Sequence, residues 1–174
     1  MDDVFIEKIV TKRKTGKDYA MVAAALVGSV VLFLLLLQFA AYISFLLPLV
    51  LIGIGYGLWF LITSINKEYE YIVTNGDLDV DMIIARRKRK RVLSVKAKEF
   101  ELMAQTGTNE ERDAEKGGYK VLDFSAAVGS DKNWFILTNY KQEKVKVIFE
   151  PDERMLKNLK RFNPSKIRYV GPLN

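Results

Sequence analysis

Apolar residues are concentrated in one continuous stretch near the start of the chain. No charged side chain occurs between Asp18 and Lys67, a run of 48 residues. One bilayer crossing takes about 20 apolar residues, so this run is long enough for two helices and a tight turn. The pattern predicts a transmembrane helical hairpin over 19–66, with spans at about 19–39 and 45–65. A cleavable signal peptide is the alternative, but its apolar region would be only about 7–15 residues long.

Small residues recur at every fourth position in both predicted spans: Ala20, Ala24 and Gly28 in the first, Gly53 and Gly57 in the second. Small side chains let two helices approach closely in lipid. Because the short connecting loop makes the two helices neighbours, packing of these faces on each other is the favoured interpretation. The other interpretation is a homo-oligomer formed through the same faces.

Basic residues flank the apolar run on both sides, whereas the loop between the predicted spans carries none. Residues 1–18 form a basic N-terminal segment that contains Lys8, Lys12, Arg13, Lys14 and Lys17. The positive-inside rule then predicts a protein of the cell membrane with both termini in the cytoplasm. No ionisable residue lies within the run, and this argues against an ion-coupled transporter.

The hydrophobic pattern changes from helical to alternating after residue 66. Asn75-Gly76 is a strong signal for a two-residue hairpin turn, and it separates two segments in which apolar residues occur at every second position. Segment 105–118 is polar and contains glycine, so it is predicted as a loop. The alternation predicts seven strands: 68–74, 77–85, 92–95, 98–104, 119–128, 133–140 and 144–149.

The end of the chain carries a helical pattern. Pro151 and two acidic residues are typical of a first helical turn, and Asn163-Pro164 ends the helix. Met155, Leu156, Leu159 and Phe162 share one face at helical spacing. We therefore predict an α-helix over 152–162 that packs on the β-sheet core, followed by a C-terminal tail over 164–174.

Seven short strands closed by one C-terminal helix are the pattern of a pleckstrin-homology-like (PH-like) β-barrel. The likeness rests on Tyr71-Ile72-Val73-Thr74-Asn75-Gly76, on the strand pair that ends at Val95, and on Phe149-Glu150-Pro151 at the start of the helix. Because the pattern follows two predicted spans, the chain resembles the bacterial PH-like, membrane-flanked-domain proteins. The resemblance implies a cytoplasmic PH-like domain over 67–163, and it implies a binding role only loosely, since a fold does not determine function.

The composition excludes several kinds of catalytic and metal site. The chain contains no cysteine and no histidine, so disulfides, thiolate nucleophiles, histidine bases and the usual zinc sites are excluded. Asp77, Asp79 and Asp81 start like a calcium-binding loop, but Met82 and Lys88 stand where that loop needs glycine and glutamate. We expect no metal, no cofactor and no enzymatic activity.

Six consecutive basic residues form the most unusual segment of the chain: Arg86, Arg87, Lys88, Arg89, Lys90 and Arg91. The net charge of the whole chain is +6. One interpretation is contact with anionic lipid headgroups. A second is pairing of the basic residues with the acids of the preceding strand. Nucleic-acid binding is the least favoured, because no aromatic residue interrupts the run to stack on bases.

The sequence therefore predicts a non-enzymatic, membrane-anchored binding or scaffold protein. Its PH-like domain would contact anionic lipid headgroups, a protein partner, or both. The alternative is an accessory subunit of a larger membrane complex that acts through its transmembrane hairpin. The identity of the ligand or partner does not follow from the sequence.

Overall fold

The computed structural model describes residues 5–39, 42 and 44–169. They form two compact units. One unit is the helical segment Lys14–Lys67, and the other combines the N-terminal residues up to Arg13 with the chain from Glu68 onward.

The helical unit contains two apolar helices, α1 over Gly16–Gln38 and α2 over Leu47–Ser64. At the start of α1, the backbone N–H of Thr15 donates to Asp18 Oδ2 over 2.7 Å, and α2 has a proline in its first turn. No residue of either helix is buried, and both helices are long and apolar enough to cross a membrane. Apart from Gly16, Lys17 and Asp18 in the first turn of α1, these helices lie within the apolar run in which the hairpin was predicted.

The first sheet has four strands in the order β1-β2-β3-β4. They are β1 over Phe5–Thr11, β2 over Lys67–Thr74, β3 over Asp77–Ile84 and β4 over Lys88–Lys96. Strand β1 was not predicted, so the described part of the chain has eight strands and the prediction of seven was wrong. The segment 1–18, treated above as a basic N-terminal segment, therefore contributes an edge strand to the domain.

The second sheet has the order β5-β7-β8-β6, with β6 parallel to β8. Its strands are β5 over Leu102–Gln105, β6 over Lys120–Asp123, β7 over Trp134–Tyr140 and β8 over Glu143–Phe149. Three differences from the prediction occur here. Strand β5 begins at Leu102 instead of residue 98, because Ala97–Glu99 form a 3-10 helical turn. A helix, α3 over Asn109–Glu115, lies within the predicted loop, and β6 ends at Asp123 instead of continuing to residue 128.

Residues of both sheets and of the last helix, α4 over Glu153–Phe162, form one hydrophobic core. Asp152 caps α4 by accepting a hydrogen bond from the N–H of Met155 over 2.8 Å. Met155 and Leu159 are fully buried in the core, as the helical spacing of apolar residues predicted. Ile167, within the predicted C-terminal tail, is also buried and forms an isolated parallel β-bridge with Met103.

Three tight turns connect neighbouring strands with both central residues at positive φ. Asn75-Gly76 is the turn that the sequence predicted. The other two, Ala85-Arg86 and Lys141-Gln142, adopt φ values from 52° to 67° without glycine. Left-handed backbone conformations are unfavourable for residues with a Cβ, so these two turns are places where substitution could increase stability.

Candidate functional site

The six-residue basic run is divided between the β3–β4 turn and the first half of β4. The backbone N–H of Arg87 donates to the carbonyl of Ile84 over 3.0 Å and closes the turn. Arg86 and Arg87 therefore lie at the tip of the hairpin, and the remaining four basic residues begin β4. We call the segment 86–90 the basic tip.

Two arginines of the run face acidic residues on the same side of the first sheet. Arg91 Nη1 lies 2.6 Å from Asp79 Oδ2, and Arg91 Nε donates to Asp81 Oδ1 over 2.5 Å. Arg89 Nε donates to Asp81 Oδ2 over 2.8 Å, and its guanidinium also forms an ion pair with Glu70. The predicted pairing of basic residues with the acids of the preceding strand is thus present for Asp79 and Asp81.

Two of the carboxylates in these ion pairs are buried. Glu70 is only 4% exposed and Asp81 only 5%. A buried charge is strongly unfavourable unless it is paired, so Arg89 and Arg91 stabilise the sheet here. The hydrogen bond to Asp81, opposed by partial desolvation and supported by the charge of Asp79, raises the pKa of Arg91 above its ordinary value.

The lysines of the run lie on the opposite side of β4. Lys88 is the cross-strand partner of Ile84, and Lys90 is the partner of Met82. Side chains alternate along a strand, so both lysines project away from the acid face. Both are exposed, and within the described residues neither forms a salt bridge. The run therefore splits into arginines that pair within the fold and lysines that remain available to a ligand.

The basic tip lies at the end of the first sheet that carries the last residues of β1 and the first residues of β2. Arg86 Nε is 3.4 Å from Glu68 Oε1, and Glu68 is the cross-strand partner of Thr11. Four residues lie between β1 and α1, and two lie between α2 and β2. The tip, the end of β1 and the start of β2 therefore share one end of the first sheet.

A cleft of about 290 Å³ opens next to β4 on the same domain. Its apolar lining includes Val92, which directly follows the basic run, and the aromatic rings of Phe124 and Tyr140; Lys120, Lys141 and Glu143 complete its rim. Lys120 Nζ pairs with Glu143 Oε2 over 2.7 Å. The cleft is thus a mainly apolar groove. Lys141 on its rim forms no salt bridge with the residues that the structure describes, and it stands over the ring of Tyr140.

The predicted helix-packing glycines lie at open positions in the structure. Among the described residues, no heavy atom outside the chain neighbours and the backbone of the same helix lies within 4 Å of a Cβ built on Gly28, Gly53 or Gly57. Ala20 and Ala24 are exposed on α1. Contact between the two small-residue faces, and a homo-oligomer formed through them, stay predictions.

One buried ion pair was missed by the sequence analysis. Lys146 is almost fully buried on β8, and its Nζ lies 2.6 Å from Glu111 Oε1 on α3. Helix α3 was hard to predict because Ala114 is its only buried residue. The pair connects α3 to the second sheet, and we interpret it as a structural contact. No group of metal-ligating side chains suited to a metal ion occurs in the described part of the chain.

Comparison with known proteins agrees with the fold. Comparison with curated proteins gives no match, and comparison with solved structures gives none. The model of the family described as a bacterial PH-like domain (DUF6106) matches residues 2–169, almost the entire chain. The match includes β1 and both apolar helices, so all of these elements are part of the family's pattern. The chain belongs to this family of bacterial PH-like domains.

Proposed function

We propose that this protein is a membrane-anchored binding module. PH-like domains are generally non-catalytic binding modules, and membership of this family suggests a binding or scaffold role. In this proposal the two apolar helices span the cell membrane and hold the domain at its cytoplasmic face. The domain then contacts anionic lipid headgroups, a protein partner, or both.

The pairing of β1 with β2 supports an anchor with both ends on one side. These strands precede α1 and follow α2, yet they are adjacent in the sheet, with Thr11 opposite Glu68. A hairpin that crosses the bilayer twice returns the chain to its starting side and permits this pairing. A single crossing would separate the strands by the membrane. The basic residues on both flanks favour the cytoplasmic side.

One observation carries the lipid contact: the basic tip shares one end of the sheet with both connections to the helices. Each connection is at most four residues long, and an extended chain spans about 3.3–3.6 Å per residue. In this proposal the short connections keep the tip near the surface of the bilayer that holds the helices. Each basic residue near an anionic leaflet contributes about 1 kcal/mol.

The lysines of the basic tip are the residues to test, because Arg89 and Arg91 are paired with acids. We define the linked domain as residues 1–13 joined by a short glycine–serine linker to residues 67–174. Flotation with phosphatidylglycerol-containing vesicles should show binding that weakens as salt rises. Replacing Lys88 and Lys90 by glutamine should lower the affinity by about 2 kcal/mol, or about thirty-fold.

A matched control comes from Lys96 and Lys98, which lie at the opposite end of β4 and in the following turn. Their replacement by glutamine removes the same charge and should change binding by less than three-fold, since they are far from the tip. Equal losses in the two double variants would show that net charge alone drives binding. Vesicle binding unchanged by Lys88→Gln with Lys90→Gln would rule out the tip as the lipid contact.

The open glycine positions favour a second candidate function, an accessory subunit of a membrane complex. Gly53 and Gly57 on α2 leave room for close approach by another helix. Exchanging both helices for unrelated spans separates the two functions. A binding module keeps its captured partners after the exchange, whereas a subunit that assembles through its hairpin loses them.

A further inference from the structure

The β6–β7 loop exposes the most solvent-accessible large apolar side chain of the described domain. Val128 is 87% exposed, more than the exposed residues Phe5, Ile9 and Val121 of the same unit. The segment Phe124–Ser130 contains no charged residue, although 28% of the whole chain is charged. A single exposed apolar residue is ordinary on a protein surface, so the informative features are the lack of charge over the whole segment and its place in the fold.

The loop is held in place by the domain, so the exposure of Val128 belongs to a defined conformation. Nδ2 of the buried Asn133 donates to the carbonyl of Ala127 over 2.8 Å. At the start of the loop, the hydroxyl of Tyr71 donates to the carbonyl of Phe124 over 2.6 Å. Both anchors are side chains from the folded core. The protein thus presents Val128 in a fixed position.

The loop also lies beside the segment that leads into α1. The backbone N–H of Arg13 donates to the carbonyl of Ala126 over 2.8 Å. Only Lys14 and Thr15 separate Arg13 from the first residue of α1. Arg13 follows Thr11 closely, so the loop shares the end of the domain that carries the basic tip.

We propose that the loop 125–130 inserts into the interface of the bilayer, with Val128 among the lipid headgroups and upper acyl chains. This inference rests on the proposed function, since it takes α1 and α2 as membrane spans. An apolar segment at an interface typically lies about 5–10 Å into the headgroup and acyl boundary. Insertion would give the domain an apolar contact in addition to the electrostatic contact of its basic tip.

The charges around the loop favour an apolar contact over a phosphate site. A cavity of about 610 Å³ beside the loop is lined by the cations Arg13 and Lys132 and by the acids Asp131 and Glu150. Because the two signs balance, the cavity has no excess positive charge to hold a phosphate. The contact of the loop is therefore expected to persist at salt concentrations that weaken the basic tip.

Single cysteines can test this, because the chain contains none of its own. Val128→Cys, Phe5→Cys and Leu32→Cys are spin-labelled in the full chain, reconstituted in vesicles of phosphatidylcholine and phosphatidylglycerol. Accessibility to oxygen and to a water-soluble nickel chelate then gives the depth of each label. Phe5 is a matched control, since it is exposed and apolar but lies at the other end of β1, opposite Thr74.

We expect the Leu32 label to be deep, the Val128 label shallow but protected from nickel, and the Phe5 label in water. The Val128 depth should be unchanged in high salt. A Leu32 label in water would refute the membrane anchor and with it the proposed function. A deep Leu32 label with Val128 as accessible to nickel as Phe5, or a Val128 depth lost in high salt, would refute loop insertion alone.

Discussion

Arg89 on β4 and Asp81 on β3 are diagonal neighbours, with Arg89 Nε donating to Asp81 Oδ2 over 2.8 Å. The same guanidinium pairs with Glu70, and both carboxylates are almost completely buried. A residue that looked like part of a lipid-binding run is thus a structural cation. The distinction leads directly to a stability prediction.

Replacing Arg89 by alanine should destabilise the domain by about 1–3 kcal/mol, because it leaves the buried Glu70 without its cation and removes one of the two arginines that pair with Asp81. The guanidinium is itself half-exposed, so solvent screening keeps the effect below that of a fully buried pair. Urea unfolding of the linked domain measures the change. Lys90→Ala, one position along the strand, should stay within about 0.5 kcal/mol. Equal effects of the two substitutions would contradict the assignment of Arg89 as structural.

Strand β1 should be required for folding. A fragment that begins at residue 67 lacks Ile6 and Val10, which are buried against the core. Loss of these two side chains removes about 3–6 kcal/mol of burial free energy. The linked domain should unfold cooperatively in urea, whereas the fragment should show no cooperative transition. A fragment as stable as the linked domain would show that β1 is dispensable.

Helix α4 should contribute strongly to stability through Leu159, which is fully buried. Leu159→Ala should cost about 2–5 kcal/mol, because it removes core contacts and leaves a cavity. Arg154→Ala on the exposed face of the same helix serves as the control and should cost less than about 0.5 kcal/mol. Thermal and urea unfolding of the linked domain compare the two. A small effect at Leu159 would remove α4 from the core.

Two hairpin turns should respond oppositely to substitution. Gly76 has φ +85°, and a Cβ there would lie 2.4 Å from Cγ of Phe162, so Gly76→Ala should destabilise by about 1–3 kcal/mol. Gln142 has φ 67° and no glycine, so Gln142→Gly should stabilise by up to about 1 kcal/mol. Differences in urea midpoint at constant slope measure both changes. Destabilisation by Gln142→Gly would mean that the turn is not left-handed in solution.

The Glu111–Lys146 pair should make stability depend on pH. Burial raises the pKa of Glu111, but hydrogen bonds from Lys146 and the Gly107 N–H, together with the charge of Lys146, outweigh burial and leave the pKa below its ordinary value. A carboxyl group with a lowered pKa in the folded state stabilises the protein above its unfolded pKa, about 4.3 for glutamate. That contribution is lost as the pH falls through the folded value.

Glu111→Gln therefore tests the pair. The variant should be less stable than the unsubstituted protein at pH 7, since the buried Lys146 then keeps only the more distant and exposed Glu115 as an anion. The difference should shrink steadily below about pH 4.3 as the carboxyl group of the unsubstituted protein is protonated. Thermal unfolding from pH 3 to 7 measures it. A difference that is independent of pH would show that Glu111 acts through packing and not through its charge.

Local patterns predicted the parts of the fold that depend on neighbouring residues. The Asn75-Gly76 turn and the buried face of α4 follow from residue type and spacing within a few positions. Strand β1 does not, because its inward side contains Lys8, whose Nζ donates to the carbonyl of Glu150 over 2.7 Å. Its outward side exposes Phe5 and Ile9. With a charge inward and apolar residues outward, the alternation gives no strand signal.

A β-bulge in the β3–β4 pair decides which basic residues of the run face the acids, and the sequence contains no signal for this bulge. The register shifts between Val80 and Asp81, so that Asp81 lies opposite Arg91 and Val92 has no cross-strand partner on β3. Continuing the register of Val80 and Leu93 without a shift would place Asp81 opposite Val92. Because side chains alternate, the shift of one residue decides which basic residues face the acids. Pairing of charges could be foreseen, but the identity of the paired residues could not.

The pairing of β1 with β2 also has a consequence for how the protein is made. Strand β1 leaves the ribosome first, but its partner follows only after the 55 residues between them. In a chain whose helices enter the bilayer, the domain can be completed only when both have crossed. In a chain that stops after one crossing, β1 and β2 lie on opposite sides of the membrane. The edge of β2 is then unpaired, and an unpaired sheet edge promotes aggregation. In the proposed topology, the first sheet can therefore be completed only after both helices have been inserted.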